Sequence, residues 1–91
     1  MCDSEEIMTD IRKEVIGFAE QMELKLRRDD GKKGGWDDLS IQFLFSRIQD
    51  EVKELEEEIN NNIFDNDAVV KECADVANFC MMLAQNVNKD N

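Results

Sequence analysis

An all-α fold is what this sequence predicts, and three observations predict it. The chain contains no proline. Three of its four glycines, Gly31, Gly34 and Gly35, fall within one five-residue stretch, so long helices can run on either side of it. Elsewhere apolar residues recur at steps of three and four, the period of an amphipathic helix. A length of 91 residues argues for a single domain over 1–91.

The first helix is expected over about residues 5–28. Ser4 can cap it, and Glu5 and Glu6 suit the positive end of its dipole. Ile7, Ile11, Val15, Phe18 and Met22 form one stripe. Lys25, Arg27 and Arg28 suit the negative end, and Gly31 supplies a stop. A glycine-rich loop over 29–38, DDGKKGGWDD, follows. Asp38 or Ser40 can cap a second helix over about 40–61, with Ile41, Leu44, Phe45, Ile48, Val52, Leu55 and Ile59 on its apolar stripe. That helix should fray at Asn60, Asn61 and Asn62, which favour turns. Asp65 or Asp67 can cap a third helix over about 67–87.

The third helix is unusual. Between Glu72 and Ala84 the sequence reads ECADVANFCMMLA, in which only Glu72, Asp75 and Asn78 are polar. A helix that is apolar nearly all round has to be buried on most sides. Three helices of one chain are too few for that. The expectation is therefore a three-helix protomer that forms a helical bundle with partner subunits, as a homodimer or homotetramer.

Charge narrows the function. The formal net charge of -11 repels the phosphates of DNA and RNA, so a nucleic acid polymer is not the expected partner. A small triphosphate is a different case, because it travels with Mg²⁺ and carboxylates can hold that ion. Five of the eleven basic residues, Lys25, Arg27, Arg28, Lys32 and Lys33, lie within nine positions beside the glycine cluster. No stretch approaches the ~20 apolar residues of a membrane span. The acidic start MCDSEEIMTD is not a signal peptide, which implies a cytoplasmic protein. Cys73 and Cys80 are seven residues apart on one helix. That is a rise of roughly 10 Å, too long for a disulfide. With Cys2 they read as free thiols in a reducing compartment.

Four carboxylates carry the functional reading. Residues three apart on a helix project from neighbouring positions, so Glu51 with Glu54, and Glu72 with Asp75, form two pairs. Glu51 lies at the edge of its apolar stripe, about 60° from Ile48. The midpoint of Glu51 and Asp75 is position 63, and so is the midpoint of Glu54 and Glu72. The turn residues between Asn60 and Asp67 centre there too. Folding the two helices antiparallel therefore brings both pairs to one height. Four carboxylates in a partly apolar setting need retained protons or a bound cation. Ligands that are all oxygen favour Mg²⁺, Mn²⁺ or Ca²⁺ over zinc.

An ExxE pair followed at a distance by an ExxD pair resembles the signature of MazG-like all-α nucleoside triphosphate pyrophosphohydrolases. Here the pairs read EVKE (Glu51–Glu54) and ECAD (Glu72–Asp75), flanked by KGGWDDLS and VVKECADVANF. The resemblance spans about residues 20–85. It implies Mg²⁺-dependent hydrolysis of an NTP or dNTP to the monophosphate and pyrophosphate, with Mn²⁺ as a substitute metal and dCTP or dUTP as first substrates to try. It implies that Glu51, Glu54, Glu72 and Asp75 ligate the metal and that Glu54 helps deprotonate the attacking water. Asp50 stands where the family motif often has Glu. Relatives also carry more basic residues after the third helix than the single Lys89 here, and longer ones have a fourth helix. Helical geometry turns Asp50 away from the site, and the other two departures imply phosphate contacts from the loop, from Lys89 or from a neighbouring subunit.

Other residues have two readings each. Trp36 is a platform for base stacking or an anchor that fixes the loop on the core. Lys32 and Lys33 neutralise a triphosphate or lie in a solvated loop. Asn78 bonds the sugar or base, or makes a polar contact at a subunit interface. Two further functions compete with the enzyme. A non-catalytic acidic helical oligomer acting as an interaction protein explains the charge but not carboxylates in an apolar helix. A Ca²⁺ module lacks the loop of alternating oxygen ligands that an EF-hand needs.

Overall fold

A computed structural model describes residues 10–29 and 35–89. Among the described residues there is no strand, and the regular elements are three helices: α1 (Lys13–Asp29), α2 (Ile41–Ile59) and α3 (Asn66–Lys89).

α1 begins later than the sequence suggests. Residues 5–9 lie outside the described residues, and Asp10 to Arg12 are not helical. The Arg12 carbonyl closes the first turn, accepting from the N–H groups of Val15 at 3.0 Å and Ile16 at 3.1 Å. Glu14 sits at the positive end of the dipole, and Arg27 and Arg28 at the negative end. Gly31, Lys32, Lys33 and Gly34 of the loop lie outside the described residues.

The caps of α2 and α3 follow directly from residue type. Ser40 is extended (φ -73°, ψ 157°), and its Oγ accepts from the Phe43 N–H at 3.0 Å. Asp65 Oδ1 accepts from Asp67 N–H at 3.0 Å and Ala68 N–H at 3.3 Å, which starts α3. Between the helices the Asn60 N–H returns to the Glu56 carbonyl at 3.0 Å, and Asn61 Oδ1 accepts from Ile63 N–H at 3.0 Å. These bonds form a tight reversal out of residues that tolerate turns.

α3 is the central element. It packs against α2 and against α1, while α1 and α2 do not pack on each other. The Arg47 guanidinium lies 5.2 Å from the centroid of the Phe79 ring, a pair symmetric about Ile63. α2 and α3 thus pair antiparallel in the register that the turn residues imply. α1 also runs antiparallel to α3. Asn78 Nδ2 donates to the Met22 carbonyl at 3.1 Å, and Lys25 Nζ lies 3.3 Å from Asp75 Oδ2.

The core of one chain is small. Among the described residues only Leu44 and Ala74 are fully buried hydrophobic side chains. In the apolar stretch of α3 from Glu72 to Ala84 only Cys80 and Ala84 are exposed, and the other residues are half-buried or buried. Cys73 and Cys80 are in no disulfide. Among the described residues no helix is long and apolar enough to cross a membrane.

Candidate metal centre

The hairpin of α2 and α3 brings carboxylates from both helices to one place. Glu51, Glu72 and Asp75 each offer one oxygen, and these oxygens lie within 4.8 Å of one another. Glu51 is the deepest, 5% exposed, while Glu72 and Asp75 are half-buried. Glu54 is exposed, close enough to share a hydrogen bond with Glu51 and to act on the charge of Glu72. It stands at the rim rather than among the three converging oxygens.

Burial and like charge act together here. Glu51 is raised from the usual carboxylate range to about 7, first by burial and then by the hydrogen bond and charge of Glu54 and the charge of Asp75. Arg47 opposes this. Glu72 is raised as well, first by burial and then by the charges of Glu54 and Asp75, with Lys25 opposing. The two helices therefore hold a group of acids that resist full ionisation together. A divalent cation would remove that resistance. The donor set, carboxylate oxygen throughout with no sulfur or nitrogen, is of the kind that suits a hard divalent cation such as Mg²⁺, Mn²⁺ or Ca²⁺.

Two cations flank the cluster, and neither was assigned to it from the sequence. Lys25, on α1, pairs with Asp75 at 3.3 Å, both side chains only about a fifth exposed (22% and 21%). Arg47, on α2, bridges Glu51 at 3.1 Å and Asp50 at 3.3 Å and covers Phe79. The four-residue step from Arg47 to Glu51 was a legible signal for one of these pairs. The Lys25 contact crosses helices that are not neighbours in sequence, and no spacing rule reports it.

The remaining candidates divide. Asn78 is 4% exposed and fastens α3 to α1 through its bond to Met22, while its Oδ1 accepts no bond among the described residues. Trp36 is not brought to the carboxylates. Its Nε1 donates to Gln85 Oε1 at 3.0 Å, and Gln85 lies ten residues beyond Asp75, a rise of about 15 Å along α3. Asn86, also 4% exposed, donates to the Trp36 carbonyl at 3.0 Å and the Leu39 carbonyl at 2.9 Å. Lys89 Nζ donates to the Asp37 carbonyl. Here Trp36 is the anchor of the loop that leads into α2, and Lys89 is bound to that loop too. Lys32 and Lys33 lie outside the described residues. Compared with protein-family models, curated proteins and solved structures, the chain matches none.

Proposed function

We propose that the protein is a Mg²⁺-dependent nucleoside triphosphate pyrophosphohydrolase, cleaving an NTP or dNTP to the monophosphate and pyrophosphate in nucleotide-pool housekeeping. The observation that carries this reading is the convergence of Glu51, Glu72 and Asp75 oxygens from two facing helices to within 4.8 Å. The ExxE and ExxD text in which these residues sit supports the reaction class. The reading includes a homo-oligomer in the cytoplasm.

Bound Mg²⁺ would supply charge neutralisation at the phosphate oxygens and a more acidic water. The protein's own groups supply the rest. Glu51, Glu72 and Asp75 hold their positions because α2 and α3 are locked in register by the reversal at residues 60–65. Glu54, exposed at the rim, accepts the proton of the attacking water. Attack at the α-phosphorus breaks its bond to the bridging oxygen, and pyrophosphate departs with that oxygen. Lys25 and Arg47, paired to Asp75 and Glu51, are the cations beside the cluster and would meet the negative charge of substrate phosphates. Asn78 Oδ1, buried without a partner among the described residues one turn from Asp75, is the acceptor available to an amino or hydroxyl group of substrate.

The test is direct. Purified protein is incubated with each common NTP and dNTP plus Mg²⁺, and monophosphate and pyrophosphate are measured. Equal amounts of the two products from at least one nucleotide are expected. No turnover across the panel by folded, metal-loaded protein would refute the reading.

A further inference from the structure

Polar and backbone groups build the reversal between α2 and α3. The Asn60 N–H returns to the Glu56 carbonyl, Asn61 Oδ1 accepts from the Ile63 N–H, and Asp65 Oδ1 starts α3. The side chains of Ile63 and Phe64 supply none of these bonds, yet both stand in water, 82% and 56% exposed. Ile59, the last residue of α2, adds a third such side chain at 50%. Every residue from 59 to 67 is exposed. Single exposed apolar residues are ordinary on a surface, but a group of them at one tip marks a contact surface.

Charge surrounds this tip with one sign. Between Leu55 and Val70 the chain carries five carboxylates, Glu56, Glu57, Glu58, Asp65 and Asp67, and no lysine or arginine. All but Glu58 are exposed, and among the described residues none of the five is in an ion pair. Their field is not cancelled by cations of the same segment, so it sorts partners by charge. It repels the phosphates of nucleic acids and of anionic lipids. A second copy would bring five more carboxylates to the same contact. Apolar surface ringed by positive charge is the complement.

We propose that the α2–α3 tip docks a different protein, one that presents apolar side chains among lysines and arginines, as a basic amphipathic helix does. Ile63 and Phe64 are the anchors that enter the partner's apolar surface, and Glu56, Glu57, Asp65 and Asp67 meet its cations. The contact is small, so it belongs to the weak, exchanging class, and opposite charge speeds the encounter. Ile59 lies eight residues beyond Glu51, a rise of about 12 Å along α2, so the partner stands beside the acidic cluster of Glu51, Glu72 and Asp75 without occupying it. The proposal is independent of the pyrophosphohydrolase reading.

Titration of the isotope-labelled full chain with a helical leucine–lysine peptide, followed by amide shifts, tests it. Polylysine of equal charge is the control. The largest shifts should fall within residues 59–67, and polylysine should bind at least tenfold more weakly. Ile63→Ser combined with Phe64→Ser should weaken peptide binding at least tenfold and leave polylysine binding unchanged, with helical circular dichroism retained. The shift map on the wild type needs no substitution, so it decides even should the double variant not fold. Largest shifts outside the tip, equal binding of the two probes, or peptide binding unchanged in the double variant would overturn the proposal. Zwitterionic vesicles bound through Ile63 and Phe64 more tightly than the peptide would assign the tip to a lipid surface instead. Self-association lost in the double variant while peptide binding persists would assign it to a second copy. Either result would overturn the proposal equally.

Discussion

Lys25 Nζ stands 3.3 Å from Asp75 Oδ2, joining α1 to the acidic cluster on the α2–α3 hairpin. Without a metal this ammonium is one of two internal counter-ions for a group of carboxylates that repel one another. Removing it in Lys25→Met should cost the metal-free protein about 1 kcal/mol, the upper part of the range for a partly screened pair. Saturating Mg²⁺ should shrink that cost, since the metal takes over the neutralisation. Thermal unfolding of both proteins, with Mg²⁺ and with chelator, checks this. An equal loss in the two conditions would show that Lys25 acts on packing alone.

The raised Glu51 makes a pH prediction with a definite sign. Glu51 holds its proton to about 7 in the folded chain, whereas an unfolded glutamate releases it near 4.5. Between these values the folded state binds more protons. Its stability is therefore fully present below about 4.5 and is lost as pH rises through about 7. The loss is as much as ~3 kcal/mol for a shift of this size. Glu51→Gln should flatten this slope in the metal-free protein, and Mg²⁺ should flatten it in the wild type. Urea unfolding between pH 4.5 and 8 measures the slope; a metal-free wild type that gains stability across that window would contradict the assignment. The same proton must leave when metal binds, so Mg²⁺ affinity should rise with pH through about 7.

Much of this was legible in the sequence for the α2–α3 hairpin. Its two helices are joined by a short run of asparagine and aspartate, so their register follows from where that run lies. Arg47 meets Phe79 about Ile63, as the carboxylate pairs do. The start of α1 was less legible, because the apolar spacing continues through Ile11 while the helix begins at Lys13. The seating of α1 on α3 was not legible at all. It rests on contacts such as Asn78 to Met22 and Lys25 to Asp75, between helices separated by α2 and a glycine loop. Lys25 accordingly read as a residue suited to a helix end. Asn86 gave no signal either, since a lone asparagine near a helix end is ordinary until the loop folds over it.

That loop supplies a prediction at a distance from the acidic cluster. Asn86→Ala removes two buried donors' bonds, to the Trp36 and Leu39 carbonyls, and should cost about 1–3 kcal/mol. Trp36 is the only tryptophan, so its emission should shift to the red as the loop loosens. Metal affinity should stay within twofold, because the centre lies about 15 Å away along α3. A tenfold loss of metal binding would place Trp36 and its loop in the site.

Leu44 tests the packing that sets the register. It is fully buried on α2, the helix that packs against α3, and Leu44→Ala should cost about 2–4 kcal/mol. In a chain with so small a core, that is enough to leave much of the protein unfolded at 37 °C without metal. Circular dichroism melts with and without Mg²⁺ would show it, and a cost below 1 kcal/mol would mean that Leu44 is not the centre of the packing.

Mn²⁺ binding followed by electron paramagnetic resonance tests the central claim most directly, with wild type and Glu72→Gln compared at equal concentration near pH 8. The expected result is a bound Mn²⁺ that Mg²⁺ displaces in the wild type, and at least tenfold weaker binding in a Glu72→Gln protein of unchanged helix content. Equal affinity in the two proteins, or no bound Mn²⁺ in the wild type, would contradict a metal centre built from Glu51, Glu72 and Asp75.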